Sequence, residues 1–452
     1  MMLHHHIFSC VLVSFSLFVA ANSARNDDFS DLRGPYCENI GCCNDRIDSC
    51  SVPILGTLCY CDEFCNQTRV DDCCPDYWSH CRGITPPPPT EAPPEPQYGC
   101  TYGNRALRWK QEVRENCNKC VCEQMPNKQL ELLCETNVCL VEQSIIESVN
   151  REQEQYGWSA TNYSQFWGRT LDDGVQLRLG TLPPQRFVMN MNPIKRNYDP
   201  AVLPREFDSR DAWPGFITGI QDQGWCGSSW AISTAAVASD RYGIVSRGKE
   251  AVQLSAQHLI SCDTQGQQSC SGGHLDRAWS FTKAYGLVDE ECFPYVARNE
   301  RCPIKRRGTL QQAGCTPKFS DRVARYTVGP AYRLGNETDI MYEITRSGPV
   351  QATMKVYHDF YNYNSGIYRH SNFAINDKQG YHSVRIIGWG EEYTYKGIQK
   401  YWKVANSWGT NWGEEGYFRI ARGINECEIE TFVIASWPHI HRKVLASASN
   451  HF

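Results

Sequence analysis

"QDQGWCGSSWAISTAAVASDR", Gln221 to Arg241, decides how the rest of the chain is read. The part from Ala231 on is rich in Ala, Ser and Thr, which suits a helix packed closely against its neighbours. Ser229 then falls at the helix N-terminus. Unpaired backbone N–H groups and the helix dipole favour negative charge there. A thiol so placed ionises readily, the more so beside an imidazole. Here the residue is a serine. Far downstream, "YHSVRIIGWG" carries His382 and "VANSWGTNWG" carries Asn406. A nucleophile position, a histidine and an asparagine have the logic of a triad. Alone, His382 reads as a packed core histidine and Asn406 as a turn residue; their motif context overrides both.

Six motifs follow one another in order: "DQGWCGSSW", "CSGGHLDRAW", "GPV", "GIY", "YHSVRIIGWGEE" and "NSWGTNWGEEGYFRI". Through them the stretch from about Leu203 to Trp437 resembles the papain superfamily, nearest its cathepsin B branch. The resemblance implies an α+β fold for residues 203–452, with a helical half and a β-barrel half. It implies Gln223 as the oxyanion-hole side chain, Ser229 at the nucleophile position, His382 as base and Asn406 as its orienting partner. Trp408 would shield that pair. Gly272 and Gly273 would line the substrate backbone, and Phe432 would sit at the floor of the main specificity pocket and crowd it. The resemblance also implies the bridges Cys226–Cys270 and Cys262–Cys302 and, more loosely, Cys292–Cys315, leaving Cys427 over.

Serine at this position is expected to abolish the chemistry. A helix end contributes up to about 2 kcal/mol, which at 1.36 kcal/mol per unit shifts a pKa by roughly 1.5. That suffices for a thiol near 8.5 and falls far short for an alkyl hydroxyl. Ser229 would need concerted proton removal by neutral His382, in a site shaped for sulfur. No Gly-x-Ser-x-Gly elbow is present. Gln223, His382 and Asn406 are instead expected to hydrogen-bond one another and Ser229, satisfying buried polar groups. The insertion from Arg298 to Phe319 lacks the paired histidines that the resemblance ties to dipeptide removal. A slow serine-dependent hydrolase and a decoy that captures peptides or proteases in the inherited cleft are the alternatives.

The rest of the chain is of another kind. Of 452 residues, 24 are cysteine. Cys10 lies in an apolar run from Ile7 to Ala21 that reads, within residues 1–23, as a secretory signal peptide. Ten cysteines crowd into Cys37–Cys81, which marks a disulfide scaffold from an oxidising compartment. Cys59, Cys61 and Cys65, then Cys73–Cys74, then Cys81, give residues 33–82 a resemblance to a somatomedin B domain, a protein-binding module. Residues 83–97, Pro-rich, form a stiff spacer. Residues 98–140 weakly resemble half of a von Willebrand factor type C module; zinc at Cys117, Cys120 and Cys122 is the less favoured alternative to bridges. In residues 141–202, Ile145, Ile146 and Val149 fall on one helical face, and the segment resembles a cathepsin B-type propeptide lying over a substrate cleft. Asn66, Asn162 and Asn336 head glycosylation sequons.

A net charge of −5 gives no reason to expect nucleic acid. No membrane anchor, cofactor or metal is expected. Taken whole, the chain resembles the tubulointerstitial nephritis antigen family. That implies a secreted matrix glycoprotein with a protease-like domain and extracellular partners, laminin, collagen or integrins among them; the chain has no Arg-Gly-Asp tripeptide.

Overall fold

A computed structural model describes residues 32, 34–66, 72–84, 99–305, 310, 315 and 325–440. The signal-like start, nearly all of the Pro-rich spacer and much of the 298–319 insertion lie outside the described residues. The chain divides into two compact units, Met1–Glu95 and Pro96–Phe452.

In the first unit, a short helix, Tyr36–Ile40, and a hairpin of Ser51–Ile54 with Thr57–Tyr60 surround a core made largely of sulfur. All ten cysteines pair, as Cys37–Cys61, Cys42–Cys81, Cys43–Cys50, Cys59–Cys74 and Cys65–Cys73.

The second unit fuses what the sequence presents as three pieces. Residues 99–139 form two small sheets closed by Cys100–Cys122, Cys117–Cys139 and Cys120–Cys134, so the three candidate zinc ligands are all consumed in bridges. Asn116 stitches this piece to the next, accepting from Gly168 N at 3.0 Å and donating to the Val141 carbonyl at 2.7 Å. The helix Gln143–Arg151 buries Ile145, Ile146 and Val149, the three positions its periodicity marks. The strand Trp158–Ala160 then pairs antiparallel with Tyr363–Tyr368 at the end of a nine-stranded sheet. That sheet runs Tyr332–Leu334, Phe432–Ala435, Val350–Val356, Gly380–Thr394, Gly397–Ala405, Tyr417–Ala421, Tyr363–Tyr368, Trp158–Ala160, with Phe207–Asp208 paired to Gly380–Thr394.

Against it lies the helix Ser229–Val245, buried along almost its whole length. Small and apolar residues on nearly every face permit this, since a helix without a polar stripe can be enclosed all round, and its large side chains, Trp230 and Tyr242, are enclosed with it. The two charges it carries inward are paired. Asp240 meets Arg385 at 2.6 Å and Thr218 at 2.8 Å, and Arg241 reaches Glu343, Tyr332 and the Pro349 carbonyl. One apolar cluster fills the sheet side and a second fills the side of the helices. The functional residues stand where the head of this helix meets the strand Gly380–Thr394.

Candidate active site

The central helix begins at Ser229, whose side chain is completely buried. Upstream, Cys226 is bridged to Cys270, which ties the turn before the helix to the Gly272–Gly273 strip. Cys262–Cys302 and Cys292–Cys315 also pair, and Cys427 is free and buried. His382 comes from the strand Gly380–Thr394 and Asn406 from the end of Gly397–Ala405, which is paired with it. His382 Nε2 and Asn406 Oδ1 lie 2.7 Å apart. Trp408 covers this pair, 5.2 Å from the imidazole ring, and stacks on Tyr361 on its other side. Burial pushes the His382 pKa down to about 4, against the opposing pull of Asn406. The ring is therefore neutral at physiological pH.

The expectation that Gln223, His382 and Asn406 bond one another and Ser229 fails in part. His382 and Asn406 do pair. His382 Nδ1, however, makes no well-formed hydrogen bond, although the Leu179 carbonyl beside it favours its protonated form. Ser229 Oγ is 2.9 Å from Thr181 Oγ1 and accepts from Ser383 N at 3.3 Å. The Gln223 amide donates to the carbonyls of Cys226 at 2.9 Å and Leu179 at 3.3 Å, and its oxygen accepts from Ser407 at 2.7 Å. The cause is residues 177–182, which thread the site and take its polar groups one after another.

Gly180 must be glycine for this passage. It sits at φ +97°, and a Cβ there would fall 2.0 Å from the Gly227 carbonyl oxygen. The next residues pair with the strip opposite: Gly273 N donates to the Gly180 carbonyl at 3.0 Å, and Leu182 N to the Gly273 carbonyl at 2.9 Å. Thr181 N bonds the Tyr381 carbonyl on the other wall at 3.1 Å. Arg178, 2% exposed, anchors the segment through Asp222 at 3.0 Å and the Gly224 carbonyl at 2.8 Å, while Trp408 Nε1 donates to the Arg178 carbonyl at 2.7 Å. Phe432 is 2% exposed and packs in the same apolar cluster as Val188 and Trp230. Behind Ser233, Ser383 and Asn406 a cavity of about 20 Å³ remains, too little for a substrate group; a roomier one of about 690 Å³ lies elsewhere, between Asn150–Gly157 and the hairpin end Glu392–Gln399.

Thr181, Leu179, Ser233 and Ser383 were not singled out by the sequence. Two of them had a signal: Ser233 lies one helical turn after Ser229, and Ser383 follows His382 directly. Thr181 had none, since its place depends on the path of the segment. Asn66, Asn162 and Asn336 are all exposed. No helix among the described residues is long and apolar enough to cross a membrane.

Residues 203–437 match the family model for the papain family of cysteine proteases. The chain is similar to human "Tubulointerstitial nephritis antigen-like", 44% identical over 434 residues, which covers 91% of this chain and 90% of that one. It is 42% identical over 428 residues to bovine "Tubulointerstitial nephritis antigen", covering 89% and 87%. Among proteases, "Cathepsin B-like CP2" of Giardia intestinalis is 34% identical over 281 residues, 60% of this chain and 87% of the protease. Among solved structures, procathepsin B S9 of Trypanosoma congolense superposes with a TM-score of 0.56 at 32% identity, covering 67% of this chain and 99% of that one.

Proposed function

Because the chain belongs to the papain family, and within it to the tubulointerstitial nephritis antigen group, we propose that it is a secreted, glycosylated binding protein of the extracellular matrix or cell surface whose protease-like domain does not cleave peptides. The observation that carries this reading is Ser229 itself. It replaces the thiol that the head of this helix would ionise, and its hydroxyl is bonded to Thr181 rather than to His382. Nucleophilic catalysis by serine begins with a Ser–His hydrogen bond. The Gln223 amide, the candidate oxyanion donor, is likewise taken by main-chain carbonyls.

Secretion is supported by 11 disulfides among the described residues, the signal-like start and three sequons whose asparagines are exposed. Binding is supported by the small bridged modules ahead of the protease-like domain. The partners are proposed to be extracellular proteins.

One observation favours a second reading. His382, held neutral, is in the protonation state that a general base needs, so a slow serine hydrolase remains the competitor. Incubating the full-length protein with a broad peptide library decides between them. The binding reading expects no turnover by the wild type. Saturable hydrolysis that disappears in Ser229→Ala would establish the hydrolase. A pull-down of extracellular proteins, repeated with the N-terminal modules deleted, then tests whether those modules carry the binding.

A further inference from the structure

Four hydroxyl groups from three distant parts of the chain meet at the head of the central helix. Ser229 Oγ is 2.9 Å from Thr181 Oγ1, and Thr181 donates to Ser383 Oγ at 2.9 Å. Ser383 Oγ is 2.9 Å from Ser233 Oγ, and Ser233 donates to the Ser229 carbonyl at 2.6 Å. A hydroxyl carries a single proton. Thr181 gives its proton to Ser383, and Ser233 gives its proton to the Ser229 carbonyl. The two remaining contacts then have one direction each: Ser229 donates to Thr181, and Ser383 donates to Ser233. The ring closes on the residue where it began. It is anchored from outside by Gln351, which donates to Ser233 at 2.7 Å, and all four side chains are buried.

We propose that Thr181, Ser383 and Ser233 are positioning residues that make Ser229 a latch, holding its proton away from His382 and fastening Gly180–Leu182 inside the cleft. The proposal rests on the reading of Ser229 as a residue that is not a nucleophile, and it gives the serine a positive task. A cysteine would serve badly here, because a thiol is a weak donor and sulfur is too large for contacts of this length. Serine at 229 thus closes the cleft as well as silencing it. In the intact chain the cleft is not a free peptide-binding surface, and extracellular partners must be met by other parts of the molecule.

The test uses the full-length protein and follows backbone hydrogen exchange at Thr181 and Leu182, whose amides pair across the cleft to Tyr381 and Gly273. Thr181→Val keeps the shape and removes the hydroxyl, Thr181→Ser keeps the hydroxyl, and Ser383→Ala opens the ring at another point. Exchange at the two amides should rise about tenfold in Thr181→Val and Ser383→Ala, the factor that one or two net hydrogen bonds supply, and should return to the wild-type rate in Thr181→Ser. The strand Trp158–Ala160, from the same segment but outside the cleft, should keep its rate. The His382 pKa, read by NMR, should rise from about 4 towards its ordinary value in Thr181→Val and stay low in Thr181→Ser. Unchanged exchange in Thr181→Val, or equal acceleration at Trp158–Ala160, overturns the latch. Peptide turnover is scored separately: Ser229-dependent hydrolysis by the wild type would overturn the reading beneath it, whatever the exchange rates show.

Discussion

Where the N-terminal unit buries Cys37, Cys50, Cys59, Cys61, Cys65 and Cys74 around Ile54 and Tyr77, the C-terminal unit buries Trp158, Trp389, Trp402, Trp408 and Trp412 with dozens of aliphatic and aromatic neighbours. The first has too few residues to close an apolar core and substitutes covalent bonds. The second spreads its stability over many weak contacts and uses its three protease-like bridges locally, at Cys226–Cys270, Cys262–Cys302 and Cys292–Cys315. The difference shows where each kind of unit is fragile. One bond is a large share of the total in the first. In the second, free energy is concentrated at single residues where a charge is buried or a large ring is enclosed.

Breaking Cys37–Cys61 by the double change Cys37→Ser and Cys61→Ser should have the largest effect. Losing a native bridge from so small a domain removes about 2–5 kcal/mol, comparable with everything such a domain has. The N-terminal unit should lose its native NMR dispersion at 37 °C, while the thermal transition of the C-terminal unit stays in place. A folded N-terminal unit without this bridge would mean that its apolar residues do more than the contrast allows.

The matching change in the C-terminal unit is Arg241→Leu. Arg241 and Glu343 are both fully buried and 3.1 Å apart. Removing the arginine leaves a buried carboxylate with its strongest partner gone, at a cost of about 3–5 kcal/mol. Denaturant unfolding should record that loss. The double variant Arg241→Leu with Glu343→Leu should recover part of it, since no buried charge is then left without its partner; Arg196, which also pairs with Glu343 at 3.0 Å, is partly exposed and can be hydrated.

The same contrast governs what the sequence could reveal. The course of the central helix, its start at Ser229 and the helical face of Ile145, Ile146 and Val149 follow from short-range pattern, so they are readable along the chain, whereas the α+β class came from the resemblance that the six motifs carry. The pairings among ten cysteines in the N-terminal unit are not, because spacing alone does not choose among the possible connectivities. At the candidate site, the positions of Ser229, His382 and Asn406 were readable but their hydrogen bonds were not. The partner of Ser229 is Thr181, 48 positions away, and the ring runs on to Ser383, 202 positions beyond Thr181. Neither separation has a sequence signal, and the expected Ser229–His382 contact gives way to it.

His382 offers a pH-dependent way to probe the C-terminal unit. Burial lowers its pKa from 6.5 to about 4. The folded state thus binds fewer protons than the unfolded chain between those values, and stability falls as pH drops from above 6.5 towards 4. At 1.36 kcal/mol per unit this amounts to about 3 kcal/mol, lost across that window and constant below it. His382→Gln has no proton to gain there, so its stability should fall less with acidification than that of the wild type by about this amount. Parallel stability curves for the two proteins between pH 7 and pH 4 would show that His382 is hydrated in solution and that the cleft is open.

The smallest effect lies at Asn336, which combines two roles in one side chain. Its Oδ1 accepts from Asp339 N at 2.8 Å and so caps the helix Glu337–Ser347, and the residue also heads an exposed sequon. Asn336→Ala removes both the cap and the sequon, while Asn336→Asp removes the sequon and keeps an oxygen in the cap position. Loss of a cap costs about 1 kcal/mol, and the aspartate charge is favourable at a helix N-terminus. Compared in proteins that both lack a glycan at this site, Asn336→Ala should therefore unfold about 1 kcal/mol more readily than Asn336→Asp. Mass spectrometry of the wild type from a secreting host should show a glycan that both variants lack. An alanine variant as stable as the aspartate would mean that the apolar packing of Ile340, Met341 and Ile344 holds this helix without its cap, carrying the dispersed stability of the C-terminal unit further than the buried ion pairs suggest.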